Sequence, residues 1–420
     1  MKASMLLAAA GVASAAPSAQ HARRAACSDV RDLPVTREGS ALLLDGKPWS
    51  AVGGNIYWLG LDENVTPPAG EPYYAPLKAS YPTKGRITEA MAVTKAMGGT
   101  AIRAHTLGVS TGNPLSLMPA LGTVNPAAFD TIDWAVYQAR EYGLRLMVPL
   151  TDNFDYYHGG KYNFLRWHGI SASSTDPAVQ QFYTNATIIA SFKDYIHTLL
   201  THVNQYTNIS YADDPTIFAY ETGNELCGPV WGDMNVPASW VQQIGAYVKS
   251  LAPKKLFVDG TYGVNREHLS IAEVDIFSDH YYPISLSKLK GDLALVASVN
   301  KTYYAGEYDW VGSGGSSGDS SLSSWFRAIE SSPGAIGSAF WSLFGHNVPD
   351  CTKFVDHNDG LALQYGNPAN SAQTTSKIQL VRQHLVQMSQ GTPIDATAAL
   401  PAVACPASAD GPAARMARKA

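Results

Sequence analysis

The stretch Ala219-Tyr220-Glu221-Thr222-Gly223-Asn224-Glu225-Leu226 decides how the rest of the chain reads. It is a short apolar run that ends on acidic residues. A second run of the same kind, Tyr303-Tyr304-Ala305-Gly306-Glu307-Tyr308-Asp309-Trp310, lies well downstream. Apolar runs capped by a polar residue are the signature of barrel strands where they open into a site. Working outward, similar runs cover 49–57, 100–105, 145–150, 216–220, 255–259, 275–280, 302–306 and 335–342. Between them, apolar residues recur at three- and four-residue spacing over 87–97, 129–142, 188–204, 240–251, 322–329 and 376–388. The stretches after the fifth and sixth runs carry weaker patterns and are also expected to be helices. Eight strands alternating with helices predict an α/β fold. The expected architecture is a (β/α)8 TIM barrel whose long βα loops form a substrate cleft. The longest of these loops span 60–83 and 152–187.

Bulk properties narrow the function. The 420-residue chain is 45% hydrophobic and 15% charged, with a net charge of −5. No basic block interrupts the body, so no nucleic-acid partner is expected. Lys2, the Ala-rich run 5–16 and the small residues around Ala15 read as a secretion signal, and Arg23-Arg24 as a second cut. Residues 1–24 are therefore set aside as signal peptide and pro-segment. Residues 25–392 form one catalytic domain, and 393–420 an Ala/Pro-rich tail. No later segment is apolar enough for a membrane helix, so the expected product is extracellular and free of the membrane. Four cysteines (Cys27, Cys227, Cys351 and Cys405) then read as disulfide partners. The expected pairs are Cys27 with Cys405 and Cys227 with Cys351. Sequons at Asn64, Asn185, Asn208 and Asn300 fit a glycoprotein.

Chemistry is carried by the two strand-end acids. Residues at the ends of the fourth and seventh strands face each other across a barrel mouth. Paired carboxyl groups about 5–5.5 Å apart can cleave a glycosidic bond by double displacement. Glu225 and Glu307 are the candidate catalytic pair. Arg103 ends the second strand, Asn224 precedes Glu225, His280 and Tyr282 end the sixth, and Trp341 ends the eighth. Glu221 reads as a supporting carboxylate. Asp152, Asp155 and Asp309 read as loop hydrogen-bonders or sugar contacts, and His105 as a second candidate contact. No Gly-x-Ser-x-Gly elbow is present, which disfavours a serine hydrolase.

This constellation resembles glycoside hydrolase family 5, of clan A, whose acid and nucleophile sit on strands four and seven. The resemblance runs from Arg103 to Trp341. It implies that Glu225 is the acid/base and Glu307 the nucleophile. It implies that Asn224 binds the sugar 2-hydroxyl and that Arg103 and Tyr282 hold Glu307. His280 would orient the acid, and Trp341 would lie under the sugar being cleaved. A nearby cation favours an ionised nucleophile, and an ionised nucleophile favours a protonated neighbour. No metal or organic cofactor is required.

Within that family the chain is most similar to the endo-β-1,4-mannanases. Leu150-Thr151-Asp152-Asn153-Phe154-Asp155-Tyr156-Tyr157-His158-Gly159-Gly160 resembles their segment after strand three, and Ile56-Tyr57-Trp58-Leu59 their first-strand end. Asn153, Trp58 and Trp310 are therefore added as substrate contacts, with Trp231 and Tyr308 as further platforms. Arg103-Ala104-His105 departs from the usual Arg-x-Trp, and the first loop is longer. The implied activity is a monomeric, secreted, retaining enzyme acting on neutral mannan-type polysaccharide. A β-glucanase or an exo-acting β-mannosidase is the alternative within the family. A non-catalytic carbohydrate-binding barrel is the alternative outside it.

Overall fold

A computed structural model describes residues 29–63, 79–227, 235–312, 321–357, 359–395 and 398–410. The expected signal segment, Cys27, Asn64 and Trp231 lie outside these residues. Eight parallel strands form the centre: β1 Ala51–Gly54, β2 Ala101–Arg103, β3 Arg145–Pro149, β4 Ile217–Glu221, β5 Leu256–Asp259, β6 Ile276–Tyr281, β7 Thr302–Asp309 and β8 Ala335–Trp341. From β2 to β8 each pairs with its sequence neighbours, and β8 pairs with β1. The β1–β2 seam is closed by an Asn55–Arg103 bridge and by hydrogen bonds from Thr100 N–H to Val52 O (2.8 Å) and Ile56 N–H to Arg103 O (3.0 Å). The sheet is thus a barrel, as the alternation of elements predicts.

The outer layer contains α1 Lys84–Ala96, α2 Ala128–Glu141, α3 Ala186–Thr201, α4 Ala238–Leu251, α5 Leu286–Ala297, α6 Leu322–Glu330 and α7 Ala372–Gln390. Their starts follow local chemistry. Thr83, Asn185, Ser285, Ser321 and Ser371 each accept a backbone N–H of the first turn. Gly391, with φ +69°, ends α7 in the left-handed region that glycine favours. After β5 there is only the short turn Arg266–His268 where a helix was expected, consistent with the weak periodicity there. After β6 the expected helix is α5.

Two apolar clusters hold the layers together. The larger lies between strands and helices. The smaller, including Met147, Phe218, Val258, Tyr304 and Ile336, joins strand residues to Val35 and Leu42 of an antiparallel hairpin that precedes β1. Trp49 meets Phe218 edge-on at 5.3 Å in the same place. The hairpin therefore stoppers the barrel end from which the strands start. The other end, where the strands finish, is left for the long loops. No helix among the described residues is long and apolar enough to cross a membrane.

The expected disulfides are replaced by a different one. Cys351 is bonded to Cys405, and Cys227 has no disulfide partner among the described residues. Cys351 lies on a hairpin after β8 (His346–Asn347 with Asp350–Phe354), and Cys405 on a strap that follows α7. The strap also gives Pro401 O to the Tyr365 hydroxyl (2.7 Å) and Ala409 O to Gly85 N–H (2.7 Å). Cys227 sits instead beside the Tyr183 hydroxyl, 4.0 Å away, on the turn after β4.

Candidate active site

Arg103 is the hub of the barrel mouth. It ends β2 and is fully buried. Its Nε and Nη2 donate to the two Glu221 oxygens at 2.8 and 3.0 Å, a forked pairing that suits a planar guanidinium. Nη1 donates to Glu307 Oε1 (2.7 Å) and to Asn55 Oδ1 (3.1 Å), and Nη2 also donates to Asn224 Oδ1 (3.0 Å). One cation thus ties together residues from β1, β2, β4 and β7. Glu221, the last residue of β4, is its buried partner and does not line the cleft.

Asn224 and Glu225 lie in the turn beyond β4, further out than a strand end. Glu225 takes φ +49°, a left-handed conformation uncommon for a residue with a side chain. Its carboxylate oxygen is 2.7 Å from His280 Nδ1, and the same nitrogen is 3.6 Å from Glu307 Oε2. One carboxylate oxygen of Glu225, one of Glu307 and a ring nitrogen of His280 all fall within 4.8 Å of one another.

Glu307 sits inside β7, where the register against β6 shifts between Ala305 and Glu307. Gly306 makes the shift possible. A Cβ there would meet Ser278 Oγ at 2.4 Å and His280 Nε2 at 2.8 Å. Glu307 also accepts the Tyr282 hydroxyl at 2.9 Å and lies 3.5 Å from His105 Nε2. Burial pushes its pKa up, but the His280 charge, the His105 hydrogen bond and the Arg103 charge outweigh that and hold it at about 2. His280 moves the other way. Burial lowers its pKa, yet the Glu307 charge and the Glu225 hydrogen bond raise it above the usual imidazole value.

These groups open into a cleft of about 580 Å³. Of the residues singled out from sequence, Glu225, Glu307, Asn224, Tyr282 and Trp341 line it, with His105 and Asp152. Arg103 and His280 stand just behind. Three expected sugar contacts do not. Trp58 is 1% exposed, donates to Leu343 O at 3.1 Å and lies under the Arg86 guanidinium, so it is core. Trp310 is 2% exposed and donates to Leu361 O at 2.7 Å. Asn153 is fully buried behind the Glu225 turn. Tyr308 is likewise core. Asp155 pairs with Arg166 in solvent, and Asp309 Oδ1 accepts the N–H groups of Val311 and Gly312.

Sequence reading missed one wall of the cleft. Glu63 from the first loop bonds His357 Nδ1, and the Tyr57 hydroxyl approaches both. His357 Nε2 is 3.8 Å from Asp359 Oδ2, which accepts the Trp341 indole N–H at 2.8 Å. Tyr57 stacks beside Trp341 with centroids 5.2 Å apart. The available signal was the polar run Asp356-His357-Asn358-Asp359 shortly after the eighth strand. Phe154, Tyr156 and His158 of the loop after β3 line the side nearest Asn224. His158 Nε2 lies 3.0 Å from Asp152 Oδ2.

Two clusters of metal-type donors occur among the described residues. In Glu89–His346–Cys405 the sulfur is already bonded to Cys351. The other is the Glu225–His280–Glu307 set, in which His280 already bonds Glu225.

Fold and mouth together define a (β/α)8 barrel with two opposed carboxylates where the strands end. A family profile described as GH family 5 beta-mannosidase-like matches residues 34–282, more than half of the chain. The chain belongs to glycoside hydrolase family 5. It is 32% identical over 273 residues to mannan endo-1,4-beta-mannosidase 2 of rice (Oryza sativa subsp. japonica), covering 64% of this chain and 57% of that protein. With mannan endo-1,4-beta-mannosidase 1 of rice it shares 30% over 239 residues, 55% of this chain and 50% of the relative. It thus spans about half of the length of the curated relatives it matches. The fold is also that of the endo-beta-1,4-mannanase from Thermotoga petrophila, with a TM-score of 0.65 and 21% identity over 84% of this chain and 79% of that one.

Proposed function

We propose that this protein hydrolyses β-1,4-mannosidic bonds within mannan polysaccharides, with retention of configuration. The observation that carries the reading is the approach of Glu225 and Glu307 to within 4.8 Å through one oxygen each. That spacing suits direct attack, because inverting enzymes need a wider gap to admit water. Glu307, held ionised, attacks the anomeric carbon as Glu225 passes its proton to the departing oxygen. The glycosidic C–O bond breaks and a glycosyl ester forms on Glu307. Glu225, now a carboxylate, takes a proton from water, whose oxygen displaces Glu307 and restores both groups. Asn224 is placed to bind the 2-hydroxyl, and Trp341 to support the ring. Glu307, with its pKa held at about 2, stays charged through the working range of such an enzyme.

Mannan is favoured over glucan by the family profile and by the activity for which the curated relatives are named. The Ala-rich leader and the Cys351–Cys405 disulfide favour an extracellular setting. The test is product analysis on mannohexaose and cellohexaose with NMR of the first-formed anomer. The expected result is internal cleavage of the mannan series to β-configured products. Inverted products, or release of monosaccharide alone, refute the reading. Glu307→Gln and Glu225→Gln are each expected to lower kcat on mannan by at least about a thousandfold.

A further inference from the structure

The loop after β3 buries a lysine for which the chemistry above has no use. Lys161 opens the short helix Lys161–Trp167 and is 1% exposed. Its Nζ lies 2.5 Å from Asn153 Oδ1. The same oxygen accepts the Cys227 N–H at 3.1 Å. Asn153 N–H in turn donates to Asn224 O (3.0 Å), and Asn224 N–H donates to Thr151 O (2.9 Å). This ladder runs along one side of the turn that carries Glu225. On the other side Leu226 N–H donates to Gly260 O, and Tyr262 N–H to Leu226 O.

The turn needs holding. Glu225 and Cys227 both adopt left-handed φ, +49° and +55°, although neither is glycine. Such a conformation persists only where surrounding contacts over-determine it. A buried ammonium is itself unfavourable unless it is well bonded. Here it pins the Asn153 carbonyl oxygen in the place where that oxygen meets the N–H of Cys227, two residues past the acid. Asp152 and Cys227 favour its charge, and the Tyr162 and Tyr183 rings lie 5.5 and 5.7 Å away. Burial nevertheless brings its pKa down to about 8.

We propose that Lys161 and Asn153 form a clamp that locks the left-handed turn and thereby aims Glu225 at the leaving-group oxygen. Both are positioning residues, since neither lines the cleft. The proposal rests on the assignment of Glu225 as the acid. The clamp weakens as pH rises through about 8, because the folded lysine loses its proton there.

The experiment compares aryl β-mannobiosides with a good leaving group (2,4-dinitrophenol) and a poor one (4-methylumbelliferone). A good leaving group departs without protonation, so only the poor one reports how the acid is aimed. Lys161→Met should lower kcat/KM on the poor substrate about tenfold or more and on the good one less than about threefold. Lys161→Arg should keep most activity and move the alkaline limb upward, since guanidinium stays charged. If Lys161→Met does not fold, Lys161→Gln, which keeps an N–H donor without the charge, is read on the same pair. Equal losses on both substrates, or none, overturn the clamp. Glu225→Gln is run alongside. If it shows no leaving-group dependence, the acid assignment has failed. If it does and the lysine variants do not, the clamp alone has failed.

Discussion

Replacing Arg103 by Met tests whether one guanidinium holds the mouth together. The substitution keeps much of the side-chain length and removes the charge. Glu221, fully buried, and Glu307, 5% exposed, then lose their shared counter-ion. Breaking a buried pair from one side typically costs about 3–5 kcal/mol. The pH dependence gives an independent measure. The fall of the Glu307 pKa from its ordinary value of 4.5 to about 2 is worth about 3 kcal/mol of stability. A depressed folded-state pKa stabilises above the unfolded value. That contribution is present above pH 4.5 and is lost as pH falls through about 2. Arg103 shares the effect with His280 and His105, so part of it should survive. Urea denaturation at pH 7 should show a loss of about 3–5 kcal/mol. The acid limb of kcat/KM should move up by about one unit as Glu307 loses that cation. Glu221→Gln in the same background should recover part of the stability, because it removes the second orphaned charge. A loss below about 1 kcal/mol together with an unmoved acid limb would refute the hub argument.

Three further outcomes follow from other contacts. Gly306→Ala drives a methyl into Ser278 and the His280 ring. Overpacking there should cost about 1–3 kcal/mol by denaturant titration, and kcat on mannan should drop at least about tenfold as His280 shifts. The double variant Cys351→Ser, Cys405→Ser opens a loop of sequence separation 54 and should lose about 2–4 kcal/mol by the same titration. Glu63→Gln weakens the His357 contact beside Trp341. It should raise KM for mannooligosaccharides about three- to tenfold while changing kcat little, as read by initial rates. An unchanged KM places Glu63 outside the bound sugar chain.

The parts legible in the sequence were those with a local cause. Each barrel strand announces itself as a short apolar run, so the order of strands and the positions of Arg103, His280 and Glu307 follow from the chain alone. Side-chain direction does not follow so easily. Tyr57 faces the cleft while its neighbour Trp58 is buried in the core, because both lie in the turn beyond β1, where no strand alternation fixes side-chain direction. Counting an aromatic near a strand end cannot tell the two apart. Trp310 failed for the same reason. Asn153 is adjacent to the cleft residue Asp152 and yet turns behind it. The wall of Glu63, His357 and Asp359 unites loops from opposite ends of the sequence that carry no periodicity. The disulfide was misjudged because cysteine pairing depends on how the strap returns over the hairpin after β8, which composition does not encode.

That strap has a consequence for anyone re-engineering the protein. The segment that brings His357 and Asp359 to the mouth begins at a hairpin stapled to Cys405, and the residues around Cys405 are moored in turn to the first turn of α1. A version trimmed directly after α7 would therefore unhook a piece of the cleft wall while leaving every barrel strand in place. Fusion partners and affinity handles belong past residue 410, where splicing leaves those moorings intact.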